Sequence, residues 1–181
     1  MNAPLKIYLL TDMLALVLGF VRACALAAFI NHVFLGRDVL SPLRGMDAPR
    51  VVGLLLLMAG VLARLEYKNH YRVRMNFWAE SKTVLAAMLV AMMFDGFFQF
   101  VAKSDFSRLW LMSGWLFSAV LVLLLRALYR RALRRQGRWQ VNTLLVGAGI
   151  TAEHTRAALA SESALGYHIT AQIDDLPQAF E

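Results

Sequence analysis

Apolar residues are gathered into four long runs, and a shorter segment of mixed polarity follows them. The runs cover residues 7–35, 51–65, 83–101 and 109–128. A bilayer core about 30 Å thick requires roughly 20 helical residues, so each run is a candidate membrane-spanning helix. The second run is short for a span unless the Arg64 side chain snorkels, so that its guanidinium reaches the interface. The first run is long enough to cross the bilayer at a tilt. The pattern therefore predicts a membrane-embedded all-α bundle of four helices.

The segment after the fourth run reads as strand, glycine turn, helix and strand. Residues 141–146 end in Leu-Leu-Val, which is typical of a strand buried in a parallel sheet. Gly147-Ala-Gly149 forms a tight turn, a helix follows over residues 150–163, and residues 167–173 form a second strand. We expect a four-helix membrane domain over residues 1–138. The first βαβ unit of a Rossmann-like α/β domain follows over residues 139–181.

This order of elements suggests a nucleotide contact at the glycine turn. Gly147 permits the turn, and Gly149 lets a pyrophosphate approach backbone amides at the helix N-terminus. Ala152 takes the third small position, where the helix packs close to the strand. Asp174 follows at about the distance of a ribose-binding acid. The alternative is a turn that only closes a βαβ unit and binds nothing. Two strands and one helix bury too little to be stable alone, so we expect a domain that is truncated or needs a partner.

The charges favour a membrane over a nucleic acid as the partner. The chain has 19 Lys and Arg against 12 Asp and Glu, a net charge of +7, and the basic residues flank the apolar runs. Eleven of them lie from the end of run two to the start of run three or in the exit from run four, against five in the other two loops, which predicts that both termini are cytoplasmic. The eleven are Arg64, Lys68, Arg72, Arg74, Lys82, Arg126, Arg130, Arg131, Arg134, Arg135 and Arg138.

Arginines repeat along the exit from the fourth run. Arg126, Arg130 and Arg134 have the i, i+4, i+8 spacing of one helical stripe. A stop-transfer anchor that continues the fourth helix accounts for this pattern. The alternative is a helix lying on anionic lipid that recruits a phosphorylated lipid substrate.

Three charged residues lie within the runs and away from their ends, namely Asp12, Arg22 and Asp95. Charges at such positions usually face the interior of a bundle. We favour Asp12 near the cytoplasmic boundary and Asp95 in an interhelical hydrogen bond over a substrate path. Cys24 is the lone cysteine and the four histidines are scattered, so no disulfide or metal site is expected.

Aromatic residues with a polar tip gather near the predicted span ends. This placement predicts an aromatic belt at the two membrane interfaces. The residues are Trp78, Trp110, Trp115, Trp139, Tyr67, Tyr71 and Tyr129.

Several segments together resemble one family. They are Arg74-Met-Asn-Phe77-Trp78-Ala-Glu80, Asp105-Phe-Ser107-Arg108-Leu109-Trp110, the arginine-rich exit, Leu145-Val-Gly-Ala-Gly149, Leu165-Gly166-Tyr167 and Asp174-Asp175. The chain resembles the N-terminal portion of bacterial polyprenyl-phosphate hexose-1-phosphate transferases, of the undecaprenyl-phosphate galactose phosphotransferase type. The resemblance implies four spans, a Rossmann-like (CoA-binding-like) domain and a separate catalytic domain that uses an Asp-Glu pair and Mg²⁺. We expect that catalytic domain, and any catalytic residue, to lie outside residues 1–181.

The resemblance also implies a reaction. The family moves hexose-1-phosphate from a UDP-sugar to undecaprenyl phosphate in exopolysaccharide, capsule or O-antigen synthesis at the bacterial inner membrane. We expect this chain to anchor, assemble or regulate such an enzyme, as a homo-oligomer in the bilayer, and to be inactive alone. Two alternatives stay open: the front part of a membrane-bound nucleotide-sugar dehydratase or epimerase, and a non-catalytic membrane module that regulates polysaccharide synthesis.

Overall fold

The computed structural model describes residues 3–36, 47–103, 107–147, 149–161 and 165–173. The chain divides into two compact units. The helical unit comprises Met1–Val73 and Trp78–Leu128, and the α/β unit comprises Arg74–Phe77 and Tyr129–Glu181. In chain order the elements are α1 (Ala3–Leu35), α2 (Ala48–Tyr67), α3 (Phe77–Val101), α4 (Arg108–Arg135), β1 (Val141–Val146), α5 (Ile150–Ser161) and β2 (Tyr167–Ile173).

Four of the described helices, α1 to α4, are long and apolar enough to cross a membrane by length and composition. The prediction of four apolar helices is therefore confirmed. The helix α2 has 20 residues and is longer than the predicted run, because it begins at Ala48 with Pro49 in its first turn. Proline is tolerated there, since the first-turn amides have no partner within the helix. Twenty residues are enough to span the hydrocarbon core.

Two helices end in a turn that requires a left-handed residue. Asn69 has φ +60° after α2, and its amide bonds Glu66 O while the next amide, of His70, bonds Leu65 O. Gly137 has φ +67° after α4 and makes the equivalent pair of bonds. Both are Schellman caps, which glycine and asparagine accommodate at low cost. The first cap directs the residues after α2 back towards the bundle.

Small residues let α1 and α4 approach closely. Gly19 lies against Ser118, and a Cβ placed on Gly19 would come within 2.7 Å of the Ser118 Cα. Ser118 Oγ donates to the Leu16 carbonyl oxygen at 3.2 Å, so a hydroxyl also links the two helices. Close backbone approach at small residues is the usual way in which membrane helices associate. The buried α1 positions with small side chains are Ala15, Ala23 and Ala27.

Several aromatic residues predicted for the interfacial belt are buried instead. Trp110 and Trp115 are nearly inaccessible and pack edge-on against Phe20 of α1. Trp139 and Tyr71 are also buried, whereas Trp78 and Tyr67 are exposed. The belt prediction is therefore wrong for the four buried residues. An indole near a span end is equally suited to a bundle interior once its ring finds aromatic neighbours.

The α/β unit contains a parallel pair of strands joined by a helix. The register runs from Val141 opposite Tyr167 to Val146 opposite Ile173, with an irregularity between Thr143 and Leu144. The predicted strand–helix–strand order is confirmed. The expected burial of β1 is not found among the described residues, where Val146 is 70% exposed. A strand needs neighbours on both faces to be buried, and the described part of this unit supplies one strand and one helix.

Candidate functional site

The glycine turn joins β1 to the N-terminus of α5. Gly147 has φ +108° and Gly149 has φ +88°, both in the region that favours glycine. The Gly147 amide donates to the Ile173 carbonyl oxygen at 2.7 Å, which ties the turn to the end of β2. The Gly149 carbonyl oxygen accepts from the amides of Ala152 and Glu153 at 3.1 and 3.2 Å, which starts the helix.

The turn is open on its outer side. A Cβ built on Gly147 or Gly149 meets no atom of the described residues within 4 Å, and both φ angles would strain any other residue. Ala152, in the first turn of α5, is buried, as expected for the small position at which such a helix packs close to its strand. Asp174, the predicted ribose-binding acid, lies outside the described residues. Three of the four predicted positions, Gly147, Gly149 and Ala152, therefore lie together at the turn and the first turn of α5.

Two residues beside this turn were not singled out from the sequence. Gln172 Nε2 donates to the Gly147 carbonyl oxygen at 2.9 Å, and Arg156 Nη2 donates to Gln172 Oε1 at 2.7 Å. These bonds place an exposed guanidinium next to the glycine turn, although Arg156 lies two helical turns beyond Gly149. Long side chains on a helix lean towards its N-terminus, which brings this cation back to the turn. From this direction of long side chains, the sequence could have indicated Arg156 as a cation near the turn.

The helical unit contains a second polar site, centred on Arg126 of α4. Its guanidinium donates from Nε to Asp12 Oδ1 at 3.0 Å, from Nη2 to Asp12 Oδ2, and from Nη1 to Glu80 Oε1 at 2.8 Å. Tyr71 Oη donates to Asp12 Oδ2 at 2.7 Å. Arg126 is 0% and Asp12 1% exposed, so this network is fully enclosed. We call these residues, together with His70, the buried charge cluster.

His70 completes the buried charge cluster through its Nδ1 atom, 3.1 Å from Arg126 Nη1. A guanidinium only donates, so Nδ1 must be unprotonated and the neutral ring carries its hydrogen on Nε2. Burial and the positive charge of Arg126 lower the pKa of His70 to about 4, against a smaller opposing effect of Glu80. His70 is therefore neutral at physiological pH. Its Nε2 has no hydrogen-bond partner within the described part of the chain.

The tyrosines complete the surroundings of the guanidinium. Arg126 Cζ lies 5.4 Å from the ring centroid of Tyr8 and 5.6 Å from that of Tyr71, within the range of cation–π attraction. Burial and the neighbouring Asp12 carboxylate raise the pKa of Tyr71, so its hydroxyl remains a donor. One buried cation thus faces two carboxylates and two aromatic rings. Such a site fixes helix positions, because each member depends on the others for solvation.

The buried charge cluster corrects the interpretation of the arginine stripe. Arg126 is not an interfacial anchor residue, because the bundle interior encloses it, whereas Arg134 is exposed. The carboxylates of α1 and α3 that hold Arg126 were not paired with it from the sequence. Arg22 is exposed and takes no part in the cluster.

The expected interhelical hydrogen bond of Asp95 is confirmed. Trp115 Nε1 of α4 donates to Asp95 Oδ2 of α3 at 2.9 Å, and Gln99 Nε2 donates to the other carboxylate oxygen at 3.3 Å. Asp95, like Asp12 and Glu80, therefore serves a contact between helices. This agrees with the rule that charges in membrane helices face the bundle interior.

The described residues do not fit a magnesium site. No group of three or more His, Cys, Asp or Glu side chains lies close enough to hold a metal ion in the described ranges. Asp12 and Glu80 come nearest to a carboxylate pair, and both bind Arg126. We therefore derive no chemical step through a metal from these residues.

Comparison with known proteins defines the family of this chain. Residues 66–180 match the family described as "CoA-binding domain", which is well over half of the sequence. The chain belongs to this family. The match includes α3 and α4 as well as the glycine turn, so the family pattern is not confined to the α/β unit.

Curated relatives support the resemblance stated from the sequence. The chain is 32% identical over 106 residues to the undecaprenyl-phosphate galactose phosphotransferase of Salmonella typhimurium. It is 32% identical over 107 residues to the UDP-galactose-lipid carrier transferase of Erwinia amylovora. An uncharacterized sugar transferase of Haemophilus influenzae is 30% identical over 103 residues. These matches cover 56 to 59% of this chain and 22% of each relative. The resemblance to this type of transferase is confirmed.

Proposed function

We propose that this chain is the membrane-anchoring and assembly portion of a sugar transferase. In the complete enzyme, hexose-1-phosphate passes from a UDP-sugar to undecaprenyl phosphate, which begins exopolysaccharide, capsule or O-antigen synthesis. The relatives support the transferase class by their names, and each is only partly covered by this chain. The chain's own role in this proposal is to hold the enzyme in the bacterial inner membrane.

The buried charge cluster is the observation that carries the anchoring role. Asp12, Glu80 and Arg126 come from three different apolar helices and bind one another inside the helical unit. A reacting acid must reach its substrate, whereas these carboxylates are enclosed and occupied by a guanidinium. Their arrangement supports a scaffold that fixes the bundle, and we propose that residues 1–181 alone transfer no sugar phosphate.

The division of labour along the chain is part of the proposal. Residues 1–138 act as the transmembrane domain with a basic cytoplasmic exit, and residues 139–181 begin a Rossmann-like cytoplasmic domain. Support for the second part comes from the parallel βαβ order and the positive φ angles of Gly147 and Gly149. The Lys and Arg distribution supports cytoplasmic termini. We further propose that the bundle forms homo-oligomers in the bilayer.

We also propose that the glycine turn contacts a nucleotide-type ligand. Gly147, Gly149 and Ala152 form the turn and the small helix–strand contact, and Asp174 is retained as the ribose-binding candidate. The open space at both glycines and the nearby Arg156 support a phosphate at this position. Isothermal titration of the purified chain with coenzyme A and UDP-sugars tests this. Binding that is lost in Gly149→Ala supports the site, and no binding of either ligand class overturns it.

A transfer assay tests the main proposal. The purified chain in nanodiscs is mixed with radiolabelled UDP-galactose, undecaprenyl phosphate and Mg²⁺, with the Salmonella typhimurium relative as the positive control. We expect label in the lipid fraction only with the relative. Lipid-linked label with this chain would show that it catalyses the reaction itself.

Anchoring and orientation have a separate readout. To test anchoring, membranes that contain the chain are washed with alkaline carbonate. To test orientation, a reporter that is active only in the periplasm is fused to the chain after Arg138. We expect the chain to remain in the membrane pellet and the reporter to be silent. Extraction by carbonate would contradict the anchoring role, and an active reporter would reverse the proposed orientation.

A further inference from the structure

A groove of about 520 Å³ runs between α2 and α3 within the helical unit. Its floor is formed by buried apolar residues, Val61 of α2 with Ala87 and Ala91 of α3. The half-exposed side chains of Val90 and Phe94 form a wall. The groove is therefore an apolar channel along two helices that are apolar enough to cross a membrane.

Three cations stand at one end of this groove. Arg64 and Lys68 lie in and just after the last turn of α2, and Lys82 lies in the second turn of α3. All three side chains are exposed, and none forms an ion pair within the described ranges. The opposite end of the groove, at Leu57 and Phe94, is apolar. We call the three cations the basic mouth.

The groove extends over slightly more than half of the thickness of a hydrocarbon core. From Lys82 to Phe94 the helix rises about 18 Å, against a hydrocarbon core of about 30 Å. In a bilayer crossed by α2 and α3, the basic mouth at the helix ends would lie at the level of headgroup phosphates, and the apolar end would lie near the middle of the core. A ligand that fits must be charged at one end and apolar along its length.

We propose that this groove binds a lipid phosphomonoester, with its phosphate in the basic mouth and an apolar chain along α2 and α3. A phosphomonoester carries a charge of about −1.5 to −2 at neutral pH, which matches three cations better than the single charge of a phosphodiester headgroup. The groove offers no acidic side chain that would repel the phosphate. This inference goes beyond the proposed anchoring function by assigning a ligand site to the helical unit. It rests on the membrane location, which carbonate extraction tests separately.

Two kinds of lipid share this chemistry, an isoprenyl monophosphate and a phosphatidic acid. Native mass spectrometry of the full chain, released from detergent, is run with each of these lipids. Phosphatidylglycerol, an uncharged polyprenol and inorganic phosphate are run in parallel. We expect one phosphomonoester lipid per chain and at least tenfold weaker retention of the other three. Equal retention of phosphatidylglycerol would overturn the phosphomonoester assignment, and retention of only one phosphomonoester identifies the chain type.

Matched variants locate the site. Arg64→Gln, Lys68→Gln and Lys82→Gln should each weaken binding about fivefold, because each removes one cation near the phosphate. Lys103→Gln removes an exposed cation after α3, away from the groove, and should leave binding unchanged. If all four variants lose affinity equally, the effect comes from net charge and the site is refuted.

Filling the groove gives a second test that does not involve charge. Gly60 lines the groove and a Cβ there meets nothing within 4 Å, so Gly60→Leu can project into the channel without a clash. We expect at least tenfold weaker lipid binding. Gly53→Leu is the control, since Gly53 is also in α2 with open space but lines a different cavity. Unchanged binding in Gly60→Leu overturns the proposal.

A Gly60→Cys variant tests the alternative that a second copy of the chain occupies the groove. Cross-links between copies through this cysteine, with no lipid retained, would assign the groove to a second copy instead.

Discussion

Arg126 of α4 binds Asp12 of α1 through two hydrogen bonds, although 114 residues separate them in the chain. Moving either charge from water into this enclosed site alone would cost several kcal/mol, so neither is tolerated without the other. The pair therefore links α1 to α4 within the helical unit. It also holds Tyr71, from the loop after α2, through the Asp12 carboxylate.

Asp12→Asn should destabilise the helical unit by about 3–5 kcal/mol. The amide keeps the side-chain shape but removes one of the two negative charges that neutralise Arg126. Unfolding of the purified chain in mixed micelles, with increasing SDS and helix content followed by circular dichroism, measures the change. A shift below about 1 kcal/mol would show that Glu80 suffices to hold the guanidinium.

Glu66→Gln is the matched control for this prediction. Glu66 pairs with Arg72 at 2.7 Å, and both side chains are largely exposed. An exposed pair contributes about 0–1 kcal/mol, because water solvates both charges when they separate. Both variants lose one negative charge, so the difference between their losses of stability measures the effect of burial.

The stability of the helical unit should fall as the pH drops below about 6.5. The pKa of His70 is lowered to about 4 in the folded chain, from an ordinary value of 6.5. Between these values the unfolded chain binds the proton and the folded chain does not, so acid favours unfolding. The contribution is fully present above pH 6.5 and should be reduced by on the order of 2 kcal/mol at pH 5.

His70→Gln separates this effect from the titration of neighbouring acids. The glutamine carbonyl can still accept from Arg126, but it does not titrate. The difference in unfolding free energy between the parent and this variant should change between pH 7 and pH 5. His32→Gln, at an exposed position of α1, should behave like the parent. A pH-independent difference for His70→Gln would show that the folded chain binds the proton as readily as the unfolded chain.

Gly19→Ala should destabilise the contact between α1 and α4 by about 1–3 kcal/mol. The added Cβ would lie 2.1 Å from Ser118 Oγ and 2.7 Å from two backbone atoms of Ser118, so the helices must move apart. Gly96→Ala adds the same atom in open space on α3 and should be neutral or stabilising. SDS unfolding compares the two. Equal stability would mean that the helix pair can relax without losing contacts.

Arg74→Lys should loosen the α/β unit. Arg74 Nη1 donates to the carbonyl oxygens of Trp139 and Leu165 at 2.7 and 2.9 Å, and the guanidinium stacks 4.3 Å from the Trp139 ring. A lysine ammonium is compact and cannot stack and bridge in the same way. We expect faster amide hydrogen exchange in β1 and β2. Arg72→Lys, at an exposed ion pair, should leave that exchange unchanged.

The order of elements could be read from the chain alone. The apolar runs and the glycine turn between β1 and α5 are local properties, because each depends on neighbouring residues and on the solvent. For the same reason Gly147, Gly149 and Ala152 could be assigned to one turn and helix start from the sequence alone. The start of α2 was predicted three residues too late, because its first turn contains a proline and an arginine and so does not belong to the apolar run.

The partners of the polar side chains were decided only by the tertiary structure. Helical spacing put Arg126 on a stripe with Arg130 and Arg134, yet it cannot show which turn of that stripe meets carboxylates from two other helices. The positions of the two tryptophans of α4 near a span end predicted an interfacial belt. Their burial instead depends on Phe20 and Asp95, which lie on other helices of the bundle. A buried charge or indole is stable only where distant groups replace water, and the sequence does not record those distances.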